Sequence, residues 1–135
     1  MRAKEFLQQY GKLKILIENN KKQAKQWRAM AAGTTSRFGT DKVQSSGNPD
    51  KMADAIGKAL ALEDENARAM LIMTDIENVI KQLSANQYDL LNMVYIDGLS
   101  LGKVAKKKNY TYDGVKAAHR RALKGVQNIL DERKF

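Results

Sequence analysis

The chain has 135 residues, 24 Lys and Arg against 15 Asp and Glu, and a formal net charge of +9 with a sequence pI near 9.8. The absence of cysteine and the single histidine exclude disulfide and thiolate chemistry and leave too few ligands for most metal sites, so no cofactor is expected. A cation excess of this size makes a polyanion the default partner, nucleic acid before a membrane surface.

No apolar run approaches the ~20 residues of a transmembrane helix. The N-terminus lacks the apolar core and small-residue cleavage site of a secretory signal. These features predict a soluble, cytoplasmic protein with no membrane partner. One proline, few β-branched runs and abundant Ala, Lys, Leu and Gln predict an all-α fold. Charge is uneven: residues 1–31 and 84–135 are basic, 32–50 are balanced and 51–83 are acidic. The middle is expected to pack or pair, and the ends to meet nucleic acid or each other's acidic face.

The spacing predicts one long helix over residues 2–31. Phe6, Leu13, Asn20 and Trp27 recur every seven residues, with Tyr10, Ile17, Ala24 and Ala31 as the companion series. Such heptads describe a coiled-coil seam, and they equally describe an amphipathic helix packed on its own domain. Asn20 is the kind of buried polar residue that fixes register and partner number. The seam and Asn20 motivate a homo-oligomer, a dimer before other states, or a docking surface for RNA polymerase.

Residues 32–50 (AGTTSRFGTDKVQSSGNPD) read as a flexible linker, punctuated by Gly33, Gly39 and Gly47. It is long for a connection inside a compact domain. Asn48 is placed to cap the next helix, Pro49 to take its first position and Asp50 to meet the positive end of its dipole. That helix is predicted from about Pro49 to Leu83. Leu62, Ala69, Ile76 and Leu83 repeat at seven, Ile72 and Val79 lie between them, and Met70, Met73 and Ile80 widen the stripe. It reads as an antiparallel partner of the first helix, or as a dimer seam. Residues 1–83 thus form a helical oligomerisation or docking region.

Residues 84–135 read as a trihelical domain. Ser84-x-x-Gln87 has the form of a capping box, and helix 86–96 buries Leu90, Leu91, Val94 and Tyr95. Gly98 allows a left-handed stop, and Ser100 caps a short helix over 101–107. Thr111 or Tyr112 opens the final helix, which runs to about Glu132. Within this domain residues 101–124 fit a helix-turn-helix. Val104 and Ala105 face inward from the first helix, and Val115 and Ala118 from the second. Asn109 falls where the turn requires a left-handed backbone. Lys116, Arg120 and Lys124, spaced by four, share the outer face of the final helix. A basic helix face of this kind enters the major groove of DNA.

The segment from Leu83 to Leu130 resembles region 4 of the sigma-70 family. The phrases that carry the resemblance are Tyr95-Ile96-Asp97-Gly98-Leu99-Ser100, Lys103-Val104-Ala105, and Val115 through Arg121-Ala122-Leu123. It covers about fifty residues. Lys103 stands where the family has an acidic residue, and residues 1–83 lack the aromatic-rich helices of sigma region 2, so a complete sigma factor is not expected. The whole chain is similar to small phage and prophage regulators of the ArpU and RinA late-gene activator kind, which implies a transcriptional role in a bacterial host cell.

Carried over position by position, the resemblance implies base contacts from Tyr112, Asp113, Lys116, Ala117 and Arg120. The remaining cations Lys106, Lys107, Lys108, Arg121 and Lys124 are read as phosphate contacts that set register. Lys106 to Lys108 read equally as plain solvated charge. His119 lies one residue off the exposed series and is expected to be a surface or half-buried histidine with no catalytic task. An alternative role is a DNA-packaging oligomer resembling a phage small terminase subunit, for which ring assemblies are expected. Catalysis is not expected, because the acids Glu63, Asp64 and Glu65 are consecutive and point in different directions around a helix.

Overall fold

The computed structural model describes residues 1–36 and 48–133. Among them the protein is all-helical: α1 (Ala3–Ser36), α2 (Asn48–Lys81), α3 (Ala85–Leu91) continuing as a π-helical segment (Asn92–Ile96), α4 (Leu101–Lys108) and α5 (Tyr112–Glu132). No described helix is long and apolar enough to cross a membrane. The chain divides into two compact units, one made of residues 14–70 and one of residues 1–13 with 71–135.

In the 14–70 unit α1 and α2 run antiparallel. Arg28 pairs with Glu63 at 2.7 Å, the Lys58 ammonium sits 4.4 Å from the centre of the Trp27 ring, and Asn20 bonds Asn66 at 3.0 Å. The heptad residues Ile17, Asn20, Ala24 and Ala31 are buried, as are Ala55, Ala59, Asn66 and Ala69 of α2. The seam therefore closes within one chain, where the heptads alone left a coiled coil and a packed helix equally open. Its alanines leave little side chain between the helices. The Asn pair is the polar tie inside it: Asn20 Nδ2 also donates to Glu65 at 2.9 Å, and Asn66 Nδ2 donates to the Ile17 carbonyl at 3.3 Å.

Two expectations for the long helices are corrected. Helix α1 does not break after Ala31 but continues to Ser36, so Gly33 is helical. A single Gly costs a helix only about 1 kcal/mol, and buried Ala31 extends the seam up to it. Residues 37–47 of the expected linker lie outside the described residues. In α2 Val79 and Ile80 are buried and Met73 half-buried beside the Leu62, Ala69, Ile76 and Leu83 series, as expected, but Met70 and Ile72 are exposed and Ala59 and Asn66 are buried in the stripe instead.

The larger unit is built around two apolar clusters. Phe6, Leu7 and Tyr10 of α1 join Ile76, Val79, Ile80, Leu91, Ala122 and Val126 in the first. Leu90, Val104, Ala105 and Val115 form the second, with Met93, Val94, Leu99, Leu101 and Ala118 against it. The start of α1 is fastened to α5, since the Ala3 amide donates to Gln127 Oε1 at 2.8 Å. Tyr10 donates to Glu77 at 2.9 Å, and Arg133 pairs with Asp75 at 2.7 Å. That ion pair holds the Asp75 carboxyl below its ordinary range.

The helix expected over 86–96 changes character at Leu91. The Asp97 amide reaches back five residues to the Asn92 carbonyl at 2.9 Å, a π-type bond that inserts one extra residue into the turn. Val94 and Tyr95 are half-buried there rather than buried, and they serve different clusters, Val94 the second and Tyr95 the first. Gly98, at φ +76°, ends the segment in the left-handed region that Gly enters without a Cβ clash.

Candidate nucleic-acid interface

Two caps and one left-handed residue set the geometry of the α4–α5 segment. Ser100 Oγ accepts from the Lys103 amide at 3.2 Å and starts α4. Asn109 ends it at φ 58°, ψ 38°, the left-handed conformation that the sequence required at this position. Two residues later Thr111 Oγ1 accepts from the Gly114 amide at 3.0 Å and starts α5. A Cβ on Gly114 would stand 2.9 Å from that same hydroxyl, so the cap favours a residue without a side chain there. Ser84 plays the corresponding part for α3, accepting from the Gln87 amide at 3.4 Å.

Packing then decides which face of α5 is free. Val115, Ala122 and Val126 are buried and Ala118 is half-buried. The opposite face carries Asp113, Lys116, Arg120 and Lys124, all exposed, with Ala117 half-buried among them and Tyr112 53% exposed. The Lys116 ammonium lies 5.5 Å from the centre of the Tyr112 ring, an i,i+4 pairing that places both at the start of the helix. Asp113 sits in the first turn, where a carboxylate meets the positive end of the helix dipole. Among the described residues none of Lys106, Lys107, Lys116, Arg120, Arg121 and Lys124 forms an ion pair. Their charge is therefore directed to solvent.

The expected phosphate-contacting residues do not form one class. Lys106, Lys107, Arg121 and Lys124 are exposed, but Lys108 is paired with Asp89 and its side chain is only 18% exposed. Lys108 thereby ties the end of α4 to α3. Arg121 stands at the edge of the cationic face, where it also lines an open cleft of about 580 Å³ floored by Leu90, Val104, Val115 and Ala118. Neither the Asp89–Lys108 tie nor this cleft has a signature in spacing, because both join residues far apart in sequence.

His119 faces inward from the side of α5. Its Nε2 is 2.8 Å from the Tyr95 hydroxyl, and the two rings stack with centroids 5.7 Å apart. Burial, with the nearby Lys4 charge, holds the imidazole below its ordinary pKa, and burial raises that of Tyr95. This histidine is part of the packing between α5 and the π-helical segment.

The three consecutive acids of α2 each take a different partner. Glu63 binds Arg28, Asp64 binds Arg68, and Glu65 accepts from Asn20. Among the described residues no group of three His, Cys, Asp or Glu side chains is arranged to hold a metal ion. No protein-family model matches this chain, and no curated protein or solved structure matches it either.

Proposed function

We propose that this chain is a sequence-specific DNA-binding regulator of transcription, of the phage and prophage kind, in which α4, the turn at Asn109 and α5 act as a helix-turn-helix. Helix α5 lies in the major groove. Lys116 and Arg120 donate to guanine O6 and N7, Asp113 accepts from a cytosine amino group, and Tyr112 and Ala117 meet a thymine methyl or the adjoining backbone. Lys106, Lys107, Arg121 and Lys124 neutralise phosphates and set register. Lys108 contributes by holding α4 against α3 through Asp89. The observation that carries this reading is the exposed cationic face of α5, without an ion pair among the described residues, opposite buried Val115, Ala122 and Val126.

The experiment is selection of bound duplexes from a random pool at several salt concentrations. Enrichment of a defined site is expected, with affinity falling steeply as salt rises because phosphate contacts release counterions. A pool that stays random after selection would remove sequence-specific recognition and leave general polyanion affinity.

A further inference from the structure

In the 14–70 unit the side of α1 turned away from the seam is cationic. Lys14, Lys21, Lys22 and Lys25 are all exposed, while Ile17, Asn20 and Ala24 are buried. Lys14, Lys21 and Lys25 follow spacings of seven and four and so share one stripe, with Lys22 beside it. The acids of the partner helix do not neutralise them. Asp54 is engaged by Lys58, Glu63 by Arg28, Asp64 by Arg68 and Glu65 by Asn20, and Asp50 lies in the first turn of α2 itself. Among the described residues none of the four lysines forms an ion pair, and neither does Glu18, the acid that shares their face. Lys25 lies three and four residues from Lys22 and Lys21, spacings at which like charges destabilise a helix. A local cost with no compensating contact inside the fold points to a partner outside it.

We infer that this face of α1 binds the phosphate backbone of double-stranded DNA, as a second contact surface distinct from α4 and α5, and that it adds affinity without reading sequence. The choice of DNA rests on the reading of α5 given above; the choice of a polyanion rests on the lysines alone. From Lys14 to Lys25 the stripe runs about 17 Å at 1.5 Å per residue, the axial rise of about five phosphates on one strand. Lysine suits the task, because it meets phosphate as a point charge on a flexible stem and imposes no fixed orientation. Such contacts position a protein on a duplex and carry no sequence information. A lipid surface fits this face less well. Every exposed residue from Glu18 to Gln26 is polar, so that stretch has no apolar side chain to sink among acyl chains.

The test uses the full chain and two duplexes, one carrying the selected site and one of random sequence, with affinity measured across salt. Lys21→Gln with Lys25→Gln is compared with Lys51→Gln with Lys81→Gln, two exposed lysines of α2 whose replacement leaves the same net charge. The first pair is expected to lower the salt slope by about 2 on both duplexes, and to weaken binding about tenfold or more near 0.1 M salt. The second pair is expected to leave the slope within about 0.5 and the affinity within about threefold. The thermal midpoint of the first variant should be no lower than that of wild type, since a like-charge pair is relieved, and this separates loss of contact from loss of fold. Slopes that fall equally for both pairs overturn the inference, because net charge alone would then account for them. So do slopes that neither pair changes, a chain that binds neither duplex, or a first variant that keeps its duplex affinity and loses affinity for phosphatidylserine vesicles instead. If wild type binds the two duplexes alike and the first pair still loses slope, the reading of α5 falls and this inference stands.

Discussion

Replacing Asn20 with leucine isolates the polar tie in the seam between α1 and α2. In the native protein Asn20 Nδ2 is shared between Asn66 Oδ1 at 3.0 Å and Glu65 Oε1 at 2.9 Å, with both asparagines less than a tenth exposed. Leucine has similar bulk but no donor, so the Asn66 oxygen is left buried without a partner. An orphaned buried acceptor costs about 1–3 kcal/mol, whereas replacing both partners by apolar groups of like shape is close to neutral. Asn20→Leu is therefore expected to destabilise by about 2 kcal/mol, and Asn20→Leu with Asn66→Leu to recover most of that loss. The single tryptophan, Trp27, lies in the same unit beneath the Lys58 ammonium, so its fluorescence reports unfolding there. With a urea m-value of about 2 kcal/mol/M, the single variant's midpoint falls by about 1 M. Losses in the double variant equal to the two single losses added together would refute the reasoning, because they would mean that the two amides do not depend on each other.

Further outcomes are expected in the larger unit. His119 is neutral in the fold and held below its ordinary pKa by burial, so the unfolded chain takes up its proton first. Its contribution to stability is present above pH of about 6.5 and is lost as pH falls below it. Chemical denaturation of wild type and His119→Gln should show the wild type losing its relative advantage on acidification; parallel curves would contradict this. Asn109→Ala should cost about 1 kcal/mol, since alanine tolerates φ 58° poorly, and Asn109→Gly should cost little or nothing. Thermal unfolding of the two variants checks the order, and equal losses would show that backbone conformation is not what Asn109 supplies. Asp89→Ala should weaken DNA binding less than Lys107→Ala in a salt titration, because it loosens α4 without removing an exposed cation.

The local signals in the sequence were legible because they rest on backbone chemistry. Ser84, Ser100 and Thr111 accept from the amides three residues on, and Asn109 adopts the left-handed region, each as its residue type dictates. The inward positions Val104, Ala105 and Val115 were readable from period alone. What escaped the sequence depends on tertiary packing. Helix α2 carries two parallel apolar stripes one residue apart, 55/59/62/66/69 and 56/60/63/67/70, and hydrophobicity does not say which one the partner helix covers. Burial settles it in favour of the first, with Asn66 inside and Met70 outside. The π turn after Leu91 was invisible for a related reason, since one inserted residue barely disturbs a five-residue pattern. Lys108 shares its local sequence with Lys106 and Lys107, and only its tertiary ion pair with Asp89 sets it apart.

The most direct test of the central claim compares Lys116→Ala with Lys107→Ala on the selected duplex and on variants of it changed one base pair at a time. If α5 reads bases, Lys116→Ala relaxes preference at a single position by about 1–3 kcal/mol, roughly 5- to 150-fold, and leaves the others unchanged. Lys107→Ala should then weaken every duplex alike and lower the salt slope by about 1. Equal losses on every sequence for both variants would contradict the account, because Lys116 would then be one more phosphate contact and α5 would not be reading the groove.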